Sequence, residues 1–247
     1  MNLLSIVIPV LNEEKYLPIL LDTLDNQTDK DFEVVVVDGK SDDKTVEVAN
    51  SYKDRLNLRV IVSEKRNLAH QRNLGGNEAK GDYVVFVDSD FILKKDFVKS
   101  CFDETEKTNA DLIIPFSYPI TKNPLWKIYF MLVNFFSSVF TFFGKPLGNG
   151  PGNLVKKESF IKSDGYSEKV FVFEDQYFFQ TAKEHHLKII SSNNIQMFFS
   201  LRRIKEDGIW GYFYFNIYAG LHFIFKGPVY KKFYDYKMGG QQESGKK

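Results

Sequence analysis

The chain has 247 residues, enough to bury a substantial core as one large domain or a core with an elaboration. Its 33 Lys and Arg stand against 32 Asp and Glu, so the net charge is only +1, which excludes the global basic bias of a nucleic-acid binder. The lone Cys101 excludes a disulfide framework and agrees with a reducing cytosol.

Residues 1–115 alternate apolar runs with amphipathic stretches, which predicts βαβ units and a mostly parallel α/β sheet. Leu3–Val10 reads as the first strand and begins directly after Met1-Asn2, with no basic region or cleavage site before it. A secretory signal is therefore not expected, and a cytoplasmic location is. Asn12 suits the cap of a helix whose first turn holds Glu13 and Glu14 and whose apolar face is Leu17, Leu20, Leu21 and Leu24. Phe32–Val37 reads as a second buried strand, and Ser41 as the cap of a helix bearing Val46, Ala49 and Tyr52. Val60–Val62 follows as a short strand, Leu68–Ala79 as a helix, Tyr83–Val87 as a strand, Phe97–Thr108 as a helix and Asp111–Ile114 as a strand.

The pattern changes after Pro115. Leu125–Phe143 is apolar apart from Lys127, Asn134 and small hydroxyls, and a Gly-rich loop from Gly148 to Asn153 follows it. Next come a short helix near Lys157–Lys162, a turn at Asp164-Gly165, a helix starting near Phe173-Glu174-Asp175 and a strand at Lys188–Ser191. The polar, Gly-containing residues 239–247 are expected to be disordered.

Three predicted strands end in ligand-competent residues: Pro9 with Asn12-Glu13, Asp38-Gly39-Lys40-Ser41, and Asp88-Ser89-Asp90. Ligands collect beyond the carboxyl ends of parallel strands, so three such endings on one rim describe a site. Asp88 and Asp90, one residue apart, can hold a hard divalent cation such as Mg²⁺ or Mn²⁺, which often takes one or two carboxylates and leaves positions for substrate phosphates. Asp38 can accept from a base N–H or a ribose hydroxyl, although an Asp-Gly turn capped at Ser41 accounts for the same residues. Arg72, on the helix feeding the Asp88 strand, can reach a diphosphate. There is no Walker pattern and no Gly-x-Gly-x-x-Gly after the first strand. On a helix the adjacent His185 and His186 point about 100° apart and make a poor metal pair.

Several ordered segments carry a resemblance. Ser5-Ile6-Val7-Ile8-Pro9-Val10-Leu11-Asn12-Glu13-Glu14 resembles the opening of family 2 glycosyltransferases of the GT-A fold. Val37 to Thr45 resembles their second nucleotide-binding segment, and Arg72-Asn73 through Asp88-Ser89-Asp90 their approach to the Asp-x-Asp motif. Gly150-Pro151-Gly152-Asn153 through Glu168 and Phe173-Glu174-Asp175 are similar to their acceptor-side segment, and Ser200-Leu201-Arg202-Arg203 to a late basic motif. The likeness runs from Leu4 to Arg203. It implies a GT-A, Rossmann-like sheet flanked by helices, with a nucleotide-sugar half at 1–115 and an acceptor half at 116–205.

By that resemblance Asp38 recognises base or ribose beside a wall formed by Pro9, Leu11, Asn12 and Glu13. Arg72 helps hold the nucleotide, while Asp88 and Ser89 serve the donor and Asp90, with Asp88, the metal, Mn²⁺ or Mg²⁺. Gly152 and Asn153 line the donor site. Asp175 is the catalytic base with Glu174 its companion, and Arg202 or Arg203 neutralises the leaving diphosphate. The implied reaction is inverting transfer from a UDP- or GDP-sugar. Two departures stand out: Ile195–Ser200 lacks the late histidine that many relatives use as a metal ligand, and Leu11 stands where many have a base-stacking aromatic.

Aromatic residues make up 16% of the chain and concentrate at Leu125–Phe143 and Trp210–Phe233. The first stretch approaches the ~20 apolar residues of a transmembrane helix. A crossing there would put Asp90 and Asp175 on opposite faces, which leaves a buried helix or a membrane-interface surface. In the second, Trp210, Tyr212, Phe213, Tyr214 and Phe215 lead into Lys226, Lys231 and Lys232, which suits an anionic headgroup region. An oligomer interface or core helix is the alternative. The expectation is a peripheral membrane contact by residues 206–238 at the cytosolic face and a lipid-linked or membrane glycan acceptor. The rivals are a sugar-nucleotide-forming nucleotidyltransferase and a non-catalytic, membrane-attached scaffold.

Overall fold

The structure is a computed structural model and describes residues 3–148, 152–170, 172–202, 204, 214, 218, 222, 223 and 225–230. In chain order the elements are β1 (Leu4–Val10), α1 (Leu17–Asp25), β2 (Phe32–Asp38), α2 (Thr45–Asn50), β3 (Leu58–Val62), α3 (Leu68–Glu78), β4 (Tyr83–Phe86), β5 (Phe91–Leu93), α4 (Phe97–Thr108), β6 (Leu112–Pro119), α5 (Pro124–Phe142), β7 (Leu154–Lys156), α6 (Lys157–Lys162), α7 (Glu174–Glu184) and β8 (Ile189–Phe199).

Every residue of β1 and β2 is buried, as near-continuous apolar runs require when a sheet is covered on both faces. The eight strands form one mixed, mostly parallel sheet in the order β3-β2-β1-β4-β7-β6-β8-β5. The pairs β2–β3, β1–β2, β1–β4 and β6–β8 are parallel, while β7 joins the two halves antiparallel to both β4 and β6. Chain order reverses at β1, between β2 and β4, which opens a crevice at the carboxyl ends of these strands.

Alternation along β1 divides the core. Leu4, Ile6, Ile8 and Val10 pack with α1, α2 and α4 on one face, and Val7 packs with α3, α6 and α7 on the other. Helix α3 lies close to the sheet because it carries Gly75, where a Cβ would come within 2.3 Å of Val7 Cγ1.

Some local expectations are corrected. Asn12 does not cap α1, whose N-cap is Tyr16 with no side-chain bond, and Ser41 does not cap α2, whose N-cap is Lys44. Asn12 instead adopts φ +55° and crosses to the loop after β2. Tyr52 lies just past α2, and β6 and β8 run further than their apolar cores suggested. The strands β5 and β7 were not anticipated.

Helix α5 differs most. It packs on β6 and β8 and buries Phe130, Asn134, Ser137 and Thr141. Its apolar residues, from Leu125 to Phe142, are largely exposed. It is therefore no core helix. Most of residues 206–238 and all of 239–247 lie outside the described residues, although Val229 forms an antiparallel bridge with Val172.

Candidate active site

The crevice at β1, β2 and β4 is lined by the polar strand endings. The loops after β1 and β2 are laced together across it. The Asp38 carboxylate accepts from the Ser41 amide at 2.9 Å and from the Ser41 hydroxyl. That hydroxyl accepts from Asn12 N at 2.9 Å, Asn12 Oδ1 accepts from Asp42 N at 2.7 Å, and Glu13 N donates to Thr45 Oγ1 at 2.8 Å. The buried Gln71 amide donates to the carbonyls of Val10 and Val37, fastening the ends of the two strands from below. Asp38 thus has the turn role that its sequence allows. A carboxylate has about four lone-pair sites, so it retains acceptor capacity for a ligand.

Beyond β4, Asp88 and Ser89 are buried and Asp90 is partly exposed. Arg202, shortly after β8, reaches back and makes two bonds to Glu13, at 3.1 and 3.0 Å. Its Nη2 lies 3.9 Å from Asp90 Oδ2, and its guanidinium covers the Tyr16 ring at 3.9 Å. Pro9 and Leu11 are buried in the wall beside it. Arg203 lies outside the described residues, as do Gly150 and Pro151.

The deepest part of the site is one cation among three carboxylates. Arg72 is 1% exposed, and its guanidinium meets Glu174 at 2.9 Å, Asp175 at 3.2 Å and Asp88 at 3.3 Å. Arg72 thus bridges the acceptor-side Glu174 and Asp175 to Asp88 at the end of β4. Burial works against its charge, but Asp175, Asp88 and Glu174 outweigh burial and hold it protonated. Asn153, fully buried, donates from Nδ2 to Asp175 Oδ1 at 3.0 Å. Below lies an aromatic floor: the Tyr166 ring sits 5.1 Å from the Arg72 guanidinium and packs against Phe86, Phe160 and Phe178.

In that apolar setting the Asp175 carboxyl is pushed up to about 7. Burial is the largest cause, Arg72 pulls the other way, and the negative charges of Glu174 and Asp88 add to the rise. A carboxylate poised there can both accept and return a proton near neutral pH.

Backbone geometry sharpens the placement. Phe173, the residue before Glu174-Asp175, takes φ +61°, a rare conformation for a bulky side chain, and turns the chain sharply into α7. Gly152 takes φ +105°, its amide donates to the Phe86 carbonyl at 2.6 Å, and a Cβ there would fall 2.3 Å from Met197 Sδ. Gly152 therefore closes the loop onto β4 and β8. The sequence reading assigned no role to Tyr16 or Tyr166. Tyr166 stood within a recognised motif, but only the fold puts either ring under an arginine.

Whether these residues fit a divalent cation turns on the donor set. Among the described residues no group of three or more His, Cys, Asp or Glu converges on a point. Asp88 and Asp90 supply hard oxygen donors from two positions, which fits an ion that completes its shell with phosphate and water. Ser200, at the end of the stretch lacking the late histidine, donates its amide to the Asp90 carbonyl at 3.1 Å.

Comparison with known proteins finds a family and a shared fold. The model of glycosyl transferase family 2 matches residues 5–163. Poly(ribitol-phosphate) beta-N-acetylglucosaminyltransferase TarS of Staphylococcus aureus is 34% identical over 114 residues, 44% of this chain and 20% of TarS. Cholesterol galactosyltransferase of Borreliella burgdorferi is 26% identical over 197 residues, 70% of this chain and 53% of that protein. The structure of S. aureus TarS 1-349 in complex with UDP superposes with a TM-score of 0.67 at 23% identity, covering 80% of this chain and 60% of that one. That of the mannosyltransferase PcManGT from Pyrobaculum calidifontis, in complex with GDP-Man and Mn²⁺, gives 0.65 at 19%, covering 80% and 56%. These structures share the fold, and the chain spans less than two thirds of the length of each of these relatives.

Proposed function

The chain belongs to glycosyl transferase family 2 and has the GT-A fold, and from that premise we propose that it moves a sugar from a UDP- or GDP-sugar to a lipid-linked or membrane-associated glycan acceptor. In this reading the transfer inverts the anomeric centre and depends on Mn²⁺ or Mg²⁺. The observation that carries it is the Arg72 cluster, which holds a buried carboxyl poised near pH 7 beside the aspartates at the end of β4.

Residues 1–115 serve the donor and 116–205 the acceptor. The nucleotide occupies the crevice at β1, β2 and β4, with Asp38 accepting from base or ribose and Pro9 to Glu13 as the wall. Asp88 and Asp90 would hold the cation, which when bound acts as a Lewis acid that stabilises charge on the departing diphosphate. Asp175 takes the proton of an acceptor hydroxyl as that oxygen attacks the anomeric carbon from the face opposite the diphosphate. The new C–O bond forms as the bond to the diphosphate breaks, so one displacement inverts the centre. Arg72 and Asn153 keep Asp175 in place through bonds to the same oxygen, Oδ1. Glu174, on the same guanidinium, faces the acceptor side. Arg202, tied to Glu13 beside Asp90, adds positive charge near the diphosphate.

Two features support a membrane acceptor and a peripheral membrane position: the exposed apolar helix α5, and the cholesterol named in the description of one relative. The test is a thermal-shift panel of nucleoside diphosphates and sugar nucleotides with and without Mn²⁺. A ligand at a hundredfold excess over its Kd raises stability by about 2.7 kcal/mol. A metal-dependent shift with UDP or GDP ligands is expected, and no shift with any of them overturns the proposal. Nuclear magnetic resonance of the product then reads the anomeric configuration.

A further inference from the structure

We propose that α5 is an in-plane docking helix whose outward apolar face settles onto an anionic lipid surface, bringing the acceptor side of the site to the bilayer. The inference deepens the lipid-acceptor reading, and rests on it only for what the docked enzyme would glycosylate.

Helix α5 is amphipathic with its polarity reversed. Phe130, Asn134, Ser137 and Thr141 recur at helical spacing and face the protein. Ile128, Met131, Leu132, Phe135, Phe136 and Phe142 recur at the same spacing on the other side, and Phe142 is 85% exposed. A soluble helix packed on a sheet does the opposite. The outward face runs along a helix about 28 Å long, and a continuous apolar strip of that length marks an interaction surface.

Charge names the occupant. No acidic residue lies between Asp111 and Glu158, while Lys122, Lys127 and Lys145 stand just before, within and just after α5. An apolar helix face flanked only by lysines complements anionic headgroups. A second copy of the same face would set lysine against lysine.

The helix lies along the surface and does not cross it. The Asn134 amide forms a two-way bond with the Ser117 backbone, at 3.0 and 3.3 Å, which clamps α5 to β6. The site itself joins chain from before and after the helix, because Arg72 holds both Asp88 and Asp175. A crossing would separate these residues.

The inward face of α5 is connected to the chemistry through the loop that follows it. The Ser137 hydroxyl donates to the Leu147 carbonyl, and Gln176, next to Asp175, donates to the Gly148 carbonyl at 2.7 Å. From the other side Val229 bridges Val172 just before α7, with the nearby Phe225 79% exposed. The first aromatic stretch thus connects to the segment that carries the base through the Leu147-Gly148 loop, and the second through Val229.

Co-sedimentation with phosphatidylglycerol vesicles and with neutral phosphatidylcholine vesicles tests the proposal, with Mn²⁺-dependent UDP and GDP binding measured on the same preparations. The wild type should bind anionic vesicles, weaken with salt and prefer them over neutral ones. A Met131→Gln, Phe135→Gln, Phe142→Gln triple variant should lose roughly tenfold or more in vesicle partitioning and keep its nucleotide affinity. Should that variant fail to fold, Phe142→Cys carrying a polarity-sensitive fluorophore replaces it, since Cys101 is buried and will not compete for label. A blue shift on anionic vesicles is then expected. The proposal is overturned if the wild type ignores anionic vesicles, if the triple variant partitions unchanged, if the fluorophore does not respond, or if the wild type is a dimer that the triple variant splits. Loss of nucleotide binding in the wild type would instead strike the donor reading and leave the lipid measurement standing.

Discussion

Replacing Asp175 by asparagine should abolish most transfer and, at the same time, stabilise the fold. Burial carries the Asp175 carboxyl from 3.8 to about 7, so between these values the folded chain keeps a proton that the unfolded chain has released. The contribution of that proton to the fold is complete below 3.8 and is lost as pH rises through about 7. At 1.36 kcal/mol per tenfold change in proton affinity, the loss amounts to about 4 kcal/mol by pH 8. Asparagine keeps the shape, can still meet Arg72 and Asn153, and never ionises. The variant's advantage in unfolding free energy should therefore grow from under about 1 kcal/mol near pH 4 to about 4 kcal/mol near pH 8. Urea unfolding of metal-free protein across that range measures it, with UDP and GDP titrations to verify the site. A difference that does not change with pH, or a variant less stable than the parent at pH 8, would refute the reasoning, because Asp175 would then be ionised throughout.

Three further outcomes follow from the same geometry. The kcat/KM profile should rise with pH through a midpoint near 7, and Asp175→Asn should cost about 10²-fold or more on a hydroxyl acceptor; near-normal turnover would point to an acceptor phosphate already ionised. Asp90→Asn should remove the Mn²⁺ dependence of nucleoside-diphosphate affinity in calorimetric titration while leaving the melting temperature close to the parent's. Gly152→Ala should destabilise through both its positive φ and the approach to Met197. In a Met197→Ala background only the backbone cost of about 1–2 kcal/mol should remain, and no residual cost there would remove the backbone argument.

The carboxylates of the site were legible because parallel strands buried on both faces announce themselves as runs of Val and Ile, and their carboxyl ends are where ligands gather. Asp38, Asp88 and Asp90 needed little more than that. The inward turn of Arg72 was not legible, because its direction is set by Glu174 and Asp175, 102 and 103 positions away. The same holds for Arg202 and Glu13, 189 positions apart. Local capping rules misjudged Asn12 and Ser41, whose side chains bond across to each other's loop rather than to the helix that follows. Strands β5 and β7 are three residues each and exist through their partners, Phe91 beside Phe199 and Leu154 beside Ile113. Composition marked α5 as apolar, but only packing reveals that Asn134 and Ser137 face in while Phe135, Phe136 and Phe142 face out.

In the proposed function one rim binds a nucleoside diphosphate through Asp38, Asp88 and Asp90, within reach of Asp175. A crystal structure with Mn²⁺ and UDP or GDP, the metal located by its anomalous signal, tests it most directly. The expected result is an anomalous peak bonded to Asp90 or Asp88 and to the diphosphate, with base or ribose against Asp38 and the β-phosphate on the same side of the crevice as Asp175. A nucleotide bound elsewhere, or a metal touching neither aspartate, would contradict it.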